Sequence, residues 1–203
     1  MHVQTLVVSM FATNCYLVSC RETGEGIIID PGAEGKRILL EIEKHGLNIT
    51  AIVNTHGHID HTGANGRLKE TLRVPLLLPA KELDTYRNPG FALKLILGRP
   101  TPPDRLLQEG EQLSFGKRRL TVMETPGHTK GSISLYGTGA VFTGDALFAG
   151  SIGRTDLAGG SHELLIRSIK ERLLTLPSQT VVYPGHGPAT SIGAEARGNP
   201  FLL

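Results

Sequence analysis

The chain has 203 residues, 39% of them hydrophobic, which suffices for one domain with a sizeable packed core. Its 21 basic and 19 acidic residues leave a net charge of +2, so no basic face for nucleic acid is implied. No apolar run approaches the about 20 residues of a membrane span, and the N-terminus lacks a basic start followed by a long apolar core, so a cytoplasmic protein without a membrane partner is the expectation.

In chain order, residues 2–8 read as a strand, Asn14–Cys20 as a second and Gly26–Asp30 as a third, closed by the turn signal Pro31-Gly32. Cys15 and Cys20 are separated by an odd number of positions, which sends them to opposite faces of one strand and predicts two buried thiols rather than a disulfide. Asp30 reads equally well as a turn-former or as a residue supporting metal ligands. Lys36–His45 has helical spacing with Gly46 as its C-cap, and His45 in the last turn reads as structural. Ala51-Ile52-Val53 is a buried strand, followed by Thr55-His56-Gly57-His58-Ile59-Asp60-His61 and then a helix-like stretch through Glu70. Val74–Leu78 is a further strand, giving β-β-β-α-β-α-β and therefore a mixed sheet.

Residues 80–104 are less regular. Residues 81–86 suit a helical turn, breakers flank the apolar run Phe91–Leu97, and the segment reads either as a packed surface helix or as a lid or substrate wall. Strands then follow at Arg118–Glu124, Ser132–Tyr136, Ala140–Thr143 and Thr180–Tyr183. Ser161 can N-cap a helix running to Leu174, with His162 on the surface of its first turn.

One pattern recurs. The His56/His58/Asp60/His61 cluster, His128, Asp145 and His186 each follow a short apolar strand and each is flanked by glycine or proline. Imidazole and carboxylate together suit zinc, iron or manganese. Seven such side chains delivered by four strand ends is the number two metal ions need.

This arrangement closely resembles the metallo-β-lactamase superfamily, through Thr55–His61, then Pro126-Gly127-His128-Thr129, then Phe142-Thr143-Gly144-Asp145, then Pro184-Gly185-His186-Gly187-Pro188. The resemblance covers essentially the whole chain, residues 1–203, and implies a four-layer αββα sandwich of two mixed β-sheets flanked by helices, an α/β (α+β) fold. It also implies that His56, His58 and His128 bind a first metal, that Asp60, His61 and His186 bind a second, and that Asp145 bridges them. The ions would be divalent, zinc foremost with iron and manganese compatible, and held about 3.5–4 Å apart with a bridging hydroxide as nucleophile.

Within the superfamily the chain looks most like the glyoxalase II group, the hydroxyacylglutathione hydrolases, on Asp30-Pro31-Gly32, Gly150–Asp156 and Asn199-Pro200-Phe201-Leu202. Longer members carry an added C-terminal helical domain. The sequence runs only 17 residues beyond His186, so a short member without that domain is expected. The implied reaction is hydrolysis of a small-molecule thioester such as S-lactoylglutathione, by a monomer or small homo-oligomer. The resemblance further suggests that Arg154 helps hold the glutathione tail, the competing reading being an Arg154–Asp156 ion pair that only shapes the loop. Gly153-Arg154-Thr155-Asp156 also resembles the mononuclear-iron persulfide dioxygenases of the superfamily, whereas the Pro184–Pro188 ending favours the hydrolase.

Overall fold

A computed structural model describes residues 1–88 and 100–203. The expectation for Phe91–Leu97 lies outside the described residues. The N-terminal half forms a sheet of β1 (His2–Val8), β2 (Thr13–Ser19), β3 (Glu25–Ile29), β4 (Asn48–Val53), β5 (Leu76–Pro79) and β6 (Arg105–Leu107), in that spatial order. The first pairings are antiparallel and those from β3 to β6 are parallel, so the sheet is mixed, as the helix-bearing crossovers require. The second sheet contains β7 (Gln112–Phe115), β8 (Arg118–Glu124), β9 (Ile133–Gly137), β10 (Ala140–Gly144), β13 (Val181–Pro184) and β14 (Thr190–Ser191), in the spatial order 14-13-10-9-8-7. Only β10 and β13 pair in parallel there. A separate hairpin pairs β11 (Leu147–Phe148) with β12 (Ser151–Ile152), with β11 lying against β10 and β13.

Side-chain alternation along the strands creates three cores. In β2, Tyr16 and Val18 point into a core shared with Leu120, Leu135 and Phe142 of the second sheet. Cys15 and Leu17 point the other way, against Ile38 and Ile42 of α1 (Gly35–Lys44), Ala64, and Leu68 of α3 (Asn65–Leu72). The second sheet turns Val141 and Val182 outward onto Leu165 of α5 (His162–Ser168), Ile169, Leu173, and Ile192 of α6 (Ile192–Gly198). Helix, sheet, sheet, helix is the resulting order of layers, the αββα sandwich expected from the sequence. Two short helices, α2 (Ile59–Thr62) and α4 (Leu83–Arg87), flank the mouth between the sheets. Cys15 and Cys20 lie in different cores and are both free thiols, as their spacing predicts.

Some boundaries differ from those expected. The C-cap of α1 is His45, and Gly46 with φ of +58° is the residue beyond it. There it supports the reversed hydrogen bond from Leu47 N–H to the Ile42 carbonyl. The helix capped by Ser161 is α-helical only to Ser168, and Ile169–Leu173 continues it with π-type winding. The Ser161 hydroxyl accepts from Leu164 N–H as a cap should. Strands β6, β7 and β14 and helix α6 are short and carry weak periodic signals, so local pattern did not reveal them. No described helix is long and apolar enough to cross a membrane.

Candidate metal centre

The loop after β4 enters α2 with His58 as its extended N-cap residue, and this geometry distributes the cluster. His56 and His61 are fully buried, while His58 and Asp60 are partly exposed toward the cleft. His128 arrives from the loop after β8, Asp145 from the end of β10, and His186 from the loop after β13. All seven residues singled out in the sequence converge at one end of the sandwich, beyond the carboxyl ends of parallel strands, where such sheets place ligands.

The imidazole nitrogens of His56, His58 and His128 lie within 4.8 Å of one another, as do the ligand-capable atoms of Asp60, His61 and His186. Within these triplets His58 Nδ1 is 3.0 Å from His128 Nε2, and His61 Nε2 is 3.3 Å from His186 Nε2. Asp145 sits between them. Its Oδ1 is 3.3 Å from His61 Nε2, and its Oδ2 is 3.6 Å from both His128 Nε2 and His186 Nε2. A third triplet, Asp30 with His56 and His61, also falls within 4.8 Å. However, Asp30 Oδ2 already accepts from the Thr55 hydroxyl at 2.6 Å and lies 3.1 Å from His61 Nδ1, on the side of that ring away from Asp145. Asp30 therefore orients a ring instead of completing a metal site.

The rear nitrogens are anchored one by one. His128 Nδ1 donates to the Arg154 carbonyl at 2.7 Å, and His186 Nδ1 donates to the Phe11 carbonyl at 3.0 Å. His61 Nδ1 donates to Asp30 at 3.1 Å. The Thr55 hydroxyl gives its proton to Asp30, so its oxygen accepts from His56 Nδ1 at 3.0 Å. Each anchor places the proton on Nδ1 and leaves an Nε2 lone pair facing the centre, the arrangement that metal-binding histidines use.

Electrostatics agree with a cation-accepting site. Burial, reinforced by neighbouring imidazoles, holds His56 well below the ordinary histidine range, and burial together with His128 brings His58 down to about 4. Both rings are thus neutral. Burial works against ionisation of Asp145, yet the facing histidines bring it down to about 2. Asp60 is likewise held low against burial, chiefly by His186 and His61. His61 and His186 are raised despite burial, because Asp145 with Asp30, and Asp60 with Asp145, favour their charged forms. The carboxylates that favour the charged forms of His61 and His186 would equally favour a divalent cation among the same side chains. Five buried side-chain atoms have no hydrogen-bond partner among the described residues, and His56 Nε2 and Asp145 Oδ1 are two of them. Buried polar atoms rarely lack one, and these two face the centre. The donor set therefore fits metal ions.

Around the centre lies a cleft of about 840 Å³, with walls including Phe11, Ile59, Phe148, Ile152 and Leu157. Arg154 lines it too, but its guanidinium is engaged bidentately by Asp156 at 2.7 and 2.6 Å. From the segment 80–104, Thr85 and Asn88 line the cleft.

Several supporting residues were not singled out in the sequence. Asn14 Nδ2 donates to the Pro184 and Gly187 carbonyls at 2.9 and 2.8 Å, gripping both sides of His186. Asn54 Nδ2 holds the His61 carbonyl at 3.0 Å. Glu82, fully buried, accepts from Gly57 N–H and Gly131 N–H, both at 2.8 Å. Desolvation pushes its carboxyl up, opposed by hydrogen bonds from Thr129, Gly57 and Gly131. The one usable sign was a polar Thr13-Asn14 pair opening an otherwise apolar strand. Glu82 had no local signature.

A family profile described as Metallo-beta-lactamase superfamily matches residues 9–186. The chain is 39% identical to a protein of Haemophilus influenzae named hydroxyacylglutathione hydrolase GloC, over 100% of this chain and 98% of the other. Among solved structures, one described as BLEG-1 B3 metallo-beta-lactamase superposes with a TM-score of 0.92 at 37% identity, covering 100% of both chains. Another, described as TTHA1623 in a di-iron-bound form, gives a TM-score of 0.89 at 40% identity, covering 98% of this chain and 100% of that one. With the sandwich and the converging histidines and aspartates, these matches place the chain in the metallo-β-lactamase superfamily of metallo-hydrolases.

Proposed function

We propose that the protein is a binuclear metallohydrolase that cleaves S-(2-hydroxyacyl)glutathione thioesters such as S-lactoylglutathione. The observation that carries this reading is the position of Asp145, whose two carboxylate oxygens reach toward both histidine-bearing triplets. His56, His58 and His128 would hold one divalent ion, Asp60, His61 and His186 the other, and Asp145 both. Zinc is the ion we favour, and iron or manganese suits the same donors. The full-length likeness to a protein named as a hydroxyacylglutathione hydrolase supports the choice of thioester.

Bound divalent ions would supply a water nucleophile active near neutral pH and Lewis-acid stabilisation of a developing oxyanion. The chain's own contribution is placement. The rear hydrogen bonds hold the imidazoles of His56, His61, His128 and His186 in a single tautomer. Phe11, Ile59, Phe148 and Ile152 give the cleft beside the centre an apolar lining. Departure of the thiolate needs little acid assistance, since a thiol has a pKa of about 8.5. No serine or cysteine nucleophile is required, and burial pushes the Cys15 thiol far above its usual range.

The test is elemental analysis of metal-replete protein combined with a screen of glutathione thioesters, a chromogenic β-lactam and glutathione persulfide. Two equivalents of metal with thioester turnover are expected. A single equivalent of iron with oxygen uptake on the persulfide would instead assign the dioxygenase chemistry, and β-lactam turnover alone would assign a lactamase.

A further inference from the structure

We propose that Glu82 is a positioning residue that sets the affinity of the first metal site, acting through the two loops that carry all three of its histidines. The inference rests on the binuclear reading above. Glu82 closes the single 3₁₀ turn Ala80–Glu82 that follows β5, and its side chain is fully buried. One carboxylate oxygen, Oε2, accepts from Gly57 N–H at 2.8 Å, and Gly57 is the residue between His56 and His58. The other, Oε1, accepts from Gly131 N–H at 2.8 Å, three residues beyond His128. A single carboxylate thus ties together loops that are remote in sequence.

The fit is close on both sides. A Cβ on Gly57 would lie 2.8 Å from the Tyr86 nitrogen and 3.1 Å from Glu82 Oε2. A Cβ on Gly131 would lie 2.6 Å from the Lys81 carbonyl carbon. Glycine at both positions lets the main chain come near enough to donate. The second triplet is tied differently, through Thr13, whose hydroxyl donates to Asp60 at 3.4 Å and which forms a β-bridge with His186. Asp60 and His61 stand on α2 and are held through Thr13, Asn54 and Asp30, and His186 is held through Asn14 and Phe11.

A carboxylate is the only side-chain group of this length that accepts at both ends without carrying a proton. Gln at position 82 keeps the shape but turns an NH₂ toward one of the two glycine N–H groups. That donor-against-donor contact should spread the loops and misplace His128 relative to His56 and His58. Residues that orient ligands typically alter metal affinity by about 10–100-fold when changed.

The experiment is calorimetric titration of zinc into the metal-free full chain, wild type against Glu82→Gln, with the melting temperature of each metal-free protein measured in parallel. The expected result is a loss of about 10–100-fold in affinity for one zinc equivalent, with the other unchanged. Equal weakening of both equivalents, or no weakening of either, would overturn the proposal. Glu82→Asp, too short to reach both glycines, serves if the Gln variant does not fold, and the same selective loss is required of it. Failure of both variants to fold would assign Glu82 to the fold and not to the site. A wild-type chain that takes up fewer than two equivalents would count against the binuclear reading itself, independently of Glu82.

Discussion

Asp30 and Thr55 are joined by two hydrogen bonds, from the Thr55 main-chain N–H to Oδ1 at 2.7 Å and from its hydroxyl to Oδ2 at 2.6 Å. Through this pair the two triplets share a support, since Thr55 holds His56 Nδ1 and Asp30 holds His61 Nδ1. Asp30 has a φ of +51°, a left-handed conformation that Asp and Asn adopt more readily than most residues. Asp30→Asn therefore changes the acceptor without adding backbone strain. It should weaken zinc binding at the second site by about 10–100-fold, and Thr55→Val should do the same at the first. Metal titration of the two variants checks this, and identical effects of both on both sites would refute the division of labour.

Asp145→Ala should lower metal content more than any other single change in the seven proposed ligands, because it removes a donor from both sites at once. Asp60→Ala should leave about one equivalent. Elemental analysis and thioesterase rate of the two variants test the contrast, and full metal retention in Asp145→Ala would show that this residue is not shared.

Asn14 is buried and spends its amide on the carbonyls of Pro184 and Gly187. Asn14→Ala removes the donor to the Gly187 carbonyl and one of the two donors to the Pro184 carbonyl, which keeps the Tyr16 hydroxyl. A hydrogen bond contributes about 0.5–1.5 kcal/mol net, so loss of the two bonds should appear in chemical denaturation as about 1–3 kcal/mol. Metal loss should be confined to the second site. A stability change with both sites intact would limit Asn14 to the fold.

Arg154 and its partner Asp156 are 62% and 67% exposed in their side chains, so their ion pair is screened by water and contributes little to stability. Arg154→Ala should leave the melting temperature unchanged. If the guanidinium also meets the glutathione tail, KM for an anionic thioester should rise several-fold with kcat nearly constant, the pattern of lost uniform binding, and a neutral thioester should be unaffected. Unchanged kinetics with both would make the pair a loop-shaping contact only.

The longer strands, the turns and the seven proposed ligands were legible in the amino-acid sequence because their determinants are local. A strand shows itself by an apolar run, a turn by glycine and proline, and a metal loop by histidines spaced within a few positions. The αββα order followed from resemblance and is realised through alternation along the strands, as at Cys15 and Tyr16 of β2, which face different cores. The supporting contacts were not legible. Asp30 meets Thr55 across 25 positions, Glu82 meets Gly131 across 49 and Asn14 meets Pro184 across 170. Each is a polar side chain whose partner is a main-chain group or a lone hydroxyl, which leaves no complementary pattern in the sequence. Their pairing was decided only when two sheets packed face to face and brought distant loop ends to one edge, where buried donors and acceptors had to find one another.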